Sequence, residues 1–244
     1  MKPVFLGTLL VGVLMSSAAY AETVSVAVAA NFTKVAEQLA PIFTAETRHE
    51  VTYSFGATGQ LYTQITQGAP FEVLLSADAV RPAQAVTEGL GVDGTVFTYA
   101  IGALALYSTS LDLSDGKAVL EKGDFEKVAI ADPQTAPYGR AATETLTALG
   151  LLDQITPKLV TGENISQALQ FVESGNAEIG FVAASQVVGK PGVWLVPAAL
   201  HAPIRQDAVL LRTGENNPAA TAFIDFLKSE KAVTVIEAAG YVVE

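Results

Sequence analysis

The sequence has no cysteine, two histidines and one tryptophan in 244 residues. Without cysteine there are no disulfides, no thiolate metal sites and no cysteine nucleophile. The histidines, His49 and His201, fall in a loop-like stretch and beside a proline. Neither has a metal-ligand partner at helical spacing. There is no Gly-x-Ser-x-Gly elbow, and no evident acid–base or nucleophile–base pair, which an enzyme would need. Basic residues are also scarce: Lys and Arg number 14 against 25 Asp and Glu, a formal net charge of −11. That balance argues against nucleic acid and anionic membrane surfaces as partners. It does not forbid a small anion, because aligned dipoles at contact distance outweigh a partly screened global charge. After the first 21 residues no segment approaches the eighteen or so consecutive apolar residues of a membrane span.

What is present begins with an export signal. Lys2 precedes the apolar run Phe5–Leu14, which is followed by Ser16-Ser17 and Ala19-Tyr20-Ala21. This reads as a secretory signal peptide over residues 1–21, cleaved after Ala21. The expected mature chain is therefore periplasmic, with no direct membrane insertion. With no lipobox cysteine, no lipid anchor is expected at the mature N-terminus.

Half the residues are hydrophobic, enough for one large core or two smaller ones. Val24, Val26 and Val28 alternate with small residues as a strand. Phe32, Val35, Ala36, Leu39 and Phe43 then recur at helical spacing. Pro41 is expected to kink or shorten that helix. Between strand and helix lies the small, polar corner Ala30-Asn31. Such a corner aims a helix's orphan N–H groups and its positive dipole end into a crevice, a ready anion site. Asn31 as a simple N-cap is the plainer reading.

The same grammar returns along the chain. Glu50–Phe55 is a strand leading through Gly56-Ala57-Thr58-Gly59 into a helix. Lys127–Ala131 is a strand followed by the loop Asp132–Gly139 and a helix from Arg140. Lys158–Thr161 is a strand before a helix capped by Asn164. Val96–Tyr107 reads as one or two strands with a bend at Gly102, and Ile204–Leu211 as a further strand. No internal sequence repeat is evident. Alternating strands and helices predict an α/β fold with mainly parallel sheets, in two lobes. Candidate polar groups lie at four strand-to-helix corners.

Those corners, in this order and spacing, resemble the periplasmic molybdate-binding proteins of ABC transporters. The resemblance covers essentially the whole chain after the signal peptide. It is carried by Ala29-Ala30-Asn31-Phe32, Phe55-Gly56-Ala57-Thr58-Gly59, Gly68-Ala69-Pro70-Phe71 leading into Ser76-Ala77-Asp78, Asp132-Pro133 with Ala136-Pro137-Tyr138-Gly139, Glu163-Asn164-Ile165 and Ala238-Ala239-Gly240-Tyr241. The resemblance implies a type II two-lobed periplasmic binding protein with two crossovers between lobes. One lobe is discontinuous, residues 22–99 plus 205–244, and the other is 100–204. It implies a monomer without cofactor that binds molybdate or tungstate in the cleft, delivers it to a membrane permease with its ATPase, and is not an enzyme.

The site implied by the resemblance is Ala30, Asn31, Thr58, Tyr138 and Ile165, with no direct cation site. Many members carry a serine where Asn31 stands, and those often have a tyrosine near Ala183. Here that tyrosine is absent, which implies the Asn31 side-chain amide as replacement donor. Tyr138 and Ile165 would contribute backbone N–H groups. The plainer readings are a helix cap for Thr58, an exposed loop aromatic for Tyr138 and a packing residue for Ile165. Asp132 reads as a turn residue, Asp78 as a cap and Arg140 as part of a solvated helix face. A donor-only pocket suits an unprotonated dianion and leaves the proton of phosphate without an acceptor. The rival readings are a binding protein for another oxyanion such as sulfate or phosphate, an enzyme on the same scaffold, and an adhesive or sensory module.

Overall fold

The computed structural model describes residues 21–244, so the signal-peptide reading of residues 1–21 lies, but for Ala21, outside the described residues. In chain order the elements are β1 (Thr23–Ala29), α1 (Thr33–Thr47), β2 (Glu50–Gly56), α2 (Thr58–Thr66), β3 (Val73–Leu75), α3 (Val80–Thr87), β4 (Phe97–Gly102), β5 (Leu104–Tyr107), α4 (Gly116–Lys122), β6 (Val128–Ala131), α5 (Pro137–Ala148), α6 (Leu152–Ile155), β7 (Leu159–Gly162), α7 (Ile165–Glu173), β8 (Ile179–Ala183), β9 (Val193–Leu195), β10 (Ile204–Leu210), α8 (Pro218–Leu227) and α9 (Glu230–Ala238).

The strands form two five-stranded sheets, ordered β2-β1-β3-β10-β4 and β7-β6-β8-β5-β9. The two share one plan. Three strands pair in parallel, and the remaining pairings are antiparallel. The α/β two-lobed fold is as expected, while the sheets are mixed rather than mainly parallel. The antiparallel strands are those that carry the chain between lobes. The apolar run 96–107 is indeed two strands, one in each sheet, with the changeover at Ala103. Drawn by sheet membership, the lobe expected to begin at residue 100 begins at Leu104, because β4 continues to Gly102. The chain returns to the first sheet between β9 and β10.

Strand alternation sorts the first lobe's core into two layers. Val24, Val26 and Val28 face Phe32, Leu39, Phe43 and Phe223 on one side. Ala27 and Leu74 face Leu61, Tyr62 and Ile65 on the other. Edge-on aromatic contacts lock the first layer, with Phe43 and Phe223 at 5.2 Å and Phe32 and Tyr99 at 4.9 Å between centroids. The second lobe's core extends across the boundary to Ala29, Ala30, Ala57 and Ala77 of the first. Small side chains at these corners let the two lobes approach closely.

Two local expectations are corrected. Pro41 does not end α1, which runs on to Thr47. The proline sits on an exposed face, and so does Glu37, whose carbonyl is the one deprived of a partner, so its cost is that of a solvent-facing group rather than a buried one. The loop expected through Gly139 is shorter, because α5 begins at Pro137. Proline at the first helical position loses an N–H that has no intrahelical partner anyway.

Gly139 lets α5 sit against the end of β6, since a Cβ there would lie 2.2 Å from the Ala131 carbonyl oxygen. Helix propensity alone favours alanine over glycine by about 1 kcal/mol. Overpacking against backbone costs about 1–3 kcal/mol and outweighs it. Gly139→Ala is therefore expected to lower the urea midpoint. An unchanged or raised midpoint would mean that helix and strand are not held this close.

Candidate functional site

The four corners meet between the two sheets. Ala30 and Asn31 follow β1, Thr58 follows β2, Tyr138 opens α5 and Ile165 opens α7. All five line one small cavity of about 10 Å³. A space this small excludes a sugar or a peptide.

Each corner leaves donors unspent. The first four N–H groups of a helix have no intrahelical acceptor. The helical segments entering at Ala30, Thr58 and Pro137 have no side-chain cap. At α2 the Gly59 N–H donates across the cleft to the Thr135 carbonyl at 2.8 Å, which leaves the Thr58 N–H. The Thr58 hydroxyl accepts from the Ala77 N–H at 3.0 Å. Its lone pair is engaged, and its proton has no acceptor among the described residues. At α5 proline supplies no N–H, so that of Tyr138 is the first available. At α7 the Asn164 side chain accepts from Ser166 and Gln167 at 3.0 and 3.1 Å, leaving only the Ile165 N–H.

No carboxylate lines the cavity among the described residues. The nearby acids are engaged or turned outward. Asp78 accepts from the Ser76 hydroxyl and the Arg81 N–H, as a cap does, and stands 4.0 Å from Arg140. Asp132 accepts from the Gln134 N–H and the Thr135 hydroxyl within its turn. Glu163 is exposed. Positive helix ends and neutral donors thus face a space without negative charge, an arrangement that binds an anion. Elsewhere, His49 accepts from the Glu22 N–H, and His201 lies beside the Ala202 carbonyl. No group of three or more His, Asp or Glu capable of holding a metal occurs among the described residues.

The family described as bacterial extracellular solute-binding protein matches residues 24–242. The chain belongs to that family. As a solute-binding protein it is 55% identical over 228 residues to the molybdate-binding protein ModA of Rhodobacter capsulatus, covering 93% of this chain and 90% of that one. It is 51% identical over 235 residues to the molybdate-binding protein ModA of Azotobacter vinelandii, covering 93% of each. A solved periplasmic molybdate-binding protein of Azotobacter vinelandii superposes with a TM-score of 0.86 at 38% identity. That match covers 91% of this chain and 99% of the other. The family is one of binding proteins, and on that ground the chain is not an enzyme.

Within this solute-binding protein the side chain of Asn31 joins a hydrogen-bonded cluster of polar side chains. Its Nδ2 donates to Gln206 Oε1 at 2.8 Å and to the Tyr241 hydroxyl at 2.9 Å, which spends both amide hydrogens behind the cavity. Tyr138 is no exposed aromatic. Its ring is buried, and its hydroxyl accepts from Gln206 Nε2 at 3.3 Å. The Tyr241 hydroxyl donates to the Asn31 carbonyl at 3.0 Å and accepts from the Ser185 hydroxyl at 2.9 Å. Sequence reading gave no role to Gln206, Tyr99 or Ser185, and took Tyr241 only as part of the closing motif of the resemblance. The available signal was a glutamine inside the otherwise apolar inward pattern of β10.

Several of these bonds join the lobes. The Ser166 hydroxyl donates to the Ala30 carbonyl at 3.1 Å, and Ser185 reaches Tyr241. With Gly59–Thr135, Gln206–Tyr138 and the Arg140–Asp78 pair, they hold the cleft closed.

Burial pushes the Tyr99, Tyr138 and Tyr241 hydroxyls above the ordinary phenol range, so all three stay neutral. Below about pH 10, the unfolded phenol value, both states are neutral and their contribution to stability is intact. Above it the unfolded chain ionises first, and stability falls. Urea midpoints are therefore expected to lose no stability to these tyrosines up to about pH 9, then to drop steeply past about pH 10. A phenolate absorbance step near pH 10 in the folded protein from Tyr138 or Tyr241, identified by phenylalanine substitution, would contradict this burial.

Proposed function

We propose that this protein binds molybdate, and tungstate equally, between its lobes and delivers it to an ABC importer. The observation that carries the reading is the donor-only cavity. Residues Ala30, Asn31, Thr58, Tyr138 and Ile165 line it from both lobes, with no carboxylate among its lining residues, and on this reading their N–H groups and the Thr58 hydroxyl are the donors to the ion. The molybdate-binding proteins to which the chain is more than half identical support the choice of ligand.

The metal is cargo, carried as the oxyanion, and the protein needs no cofactor of its own. The lobes are residues 22–99 with 205–244, and 100–204, with boundaries shifting a few residues if drawn by sheet. The mature chain works in the periplasm as a monomer, after export by the segment ending at Ala21. Its partner is a membrane permease with its ATPase, which has to reopen the cleft to take the ion.

Calorimetry of the mature protein tests this with four anions at one ionic strength. Molybdate and tungstate should bind alike, since they match in charge and shape. Phosphate should be rejected near neutral pH, because its proton finds no acceptor, a loss of about 1–3 kcal/mol. Phosphate binding as tight as molybdate would overturn the assignment. Sulfate is acceptor-only too, and tests whether the cavity is sized for the larger ion.

Two substitutions probe the corners. Thr58→Val removes a hydroxyl donor to a charged acceptor and should cost about 1.5–3 kcal/mol of binding. Asn31→Asp should cost more, because it sets a negative charge beside a dianion. A parent-like affinity of Asn31→Asp would remove that corner from the site.

Closure is the third expectation. A ligand touching both lobes favours the closed state by its differential affinity. Small-angle scattering should show a smaller radius of gyration with molybdate than without. An unchanged radius at saturation, starting from an open ligand-free protein, would count against capture by both lobes.

A further inference from the structure

Gln206 lies on β10, one of the strands next to the crossings between lobes. Its pairing with β4 shifts register between Gln206 and Asp207. Such a bulge re-aims a side chain, and Gln206 is fully buried behind the cavity. Its Oε1 accepts from Asn31 Nδ2 at 2.8 Å and from the Tyr99 hydroxyl at 3.2 Å. Its Nε2 donates to the Tyr138 hydroxyl at 3.3 Å. One amide therefore touches the backs of two corners that face each other across the ligand space, Asn31 from the first lobe and Tyr138 from the second.

The contacts differ in what they depend on. Asn31 and Tyr99 stand on the same lobe as Gln206, so those bonds do not depend on the angle between lobes. Tyr138 stands on α5 of the other lobe, so that bond joins the two lobes and is sensitive to the angle between them. Gly102, at the crossing itself, leaves the room for it: a Cβ there would lie 2.1 Å from the Tyr138 hydroxyl and 2.7 Å from Gln206 Nε2. The space at the crossing is shaped around this one contact.

We infer that Gln206 is a positioning residue for oxyanion capture. It does not touch the ligand. It fixes the Asn31 corner through Oε1 and engages the Tyr138 corner through Nε2 on closure, so that donors from both lobes reach the ion together. This rests on the binding reading above.

The test measures molybdate affinity by calorimetry and melting temperature with and without molybdate. The proteins are the parent, Gln206→Met, Tyr138→Phe and the double variant. Methionine keeps the length and volume of the side chain and removes both polar ends. Phenylalanine removes one oxygen and keeps the ring. Each single variant should raise the molybdate Kd roughly tenfold, the effect of losing a buried hydrogen bond and stranding its partner. The double variant should be little worse than Gln206→Met, because both changes remove the same bond.

A merely structural glutamine would lower the ligand-free melting temperature and leave the Kd unchanged, which overturns the inference. Additive losses in the double variant also overturn it. If Gln206→Met does not fold, Tyr138→Phe decides alone, and a parent-like Kd overturns the proposal. A parent protein that binds no molybdate removes the functional reading itself and this inference with it. That outcome is distinct from a parent that binds beside variants that bind equally well.

Discussion

The structure depends on a small set of buried N–H groups with no acceptor among the described residues. A helix must leave its first N–H groups unpaired, and proteins usually spend them on a capping side chain or on water. Here the segments entering at Ala30, Thr58 and Pro137 have no such cap. At α7 Asn164 serves two N–H groups and omits Ile165. A buried donor left unsatisfied costs about 1–3 kcal/mol. Gathering several around one point is tolerable only if something with acceptors on every side occupies it. A tetrahedral oxyanion has that shape. The small residues at the corners, the lack of a carboxylate among the described lining residues and the meeting of two sheets all serve that convergence.

A second layer makes the first rigid. Asn31, Gln206, Tyr99, Tyr138, Tyr241 and Ser185 form a neutral hydrogen-bonded layer directly behind the donors. Neutrality matters, because a charge of either sign there would act on the ion at short range through a medium of low dielectric. Burial holds the tyrosines in their protonated form, so the layer positions without adding charge.

The sequence carried what is local. Valine alternation in β1, the small residues before each helix and Asn164 as a cap are patterns over a few residues, and they located every corner of the cavity. Pro137 was readable as a helix start but was grouped with Pro133 into a longer loop. Pro41 misled because its cost depends on exposure, which the face of α1 decides. The role of Asn31 was not legible, because the partners of its amide, Gln206 and Tyr241, lie on the far side of the inserted lobe. The same holds for Tyr138, whose hydroxyl meets Gln206 only once the two sheets have closed. Local pattern speaks to backbone donors, whereas side-chain direction is set by contacts distant in the chain.

The strand order of the first sheet bears on how the chain comes to be folded. β10 lies between β3 and β4, and β4 pairs with no other strand of that sheet. As the chain emerges from its N-terminus, β4 has nowhere to dock until the whole stretch from Leu104 to Leu195 has appeared. That stretch contains every strand of the second sheet. The inserted lobe is thus complete in sequence first, while the lobe that begins the chain waits for its last strand. Closing a loop that long is slow, and it leaves an apolar edge open meanwhile. The first lobe is therefore the later of the two to close, although it begins the chain.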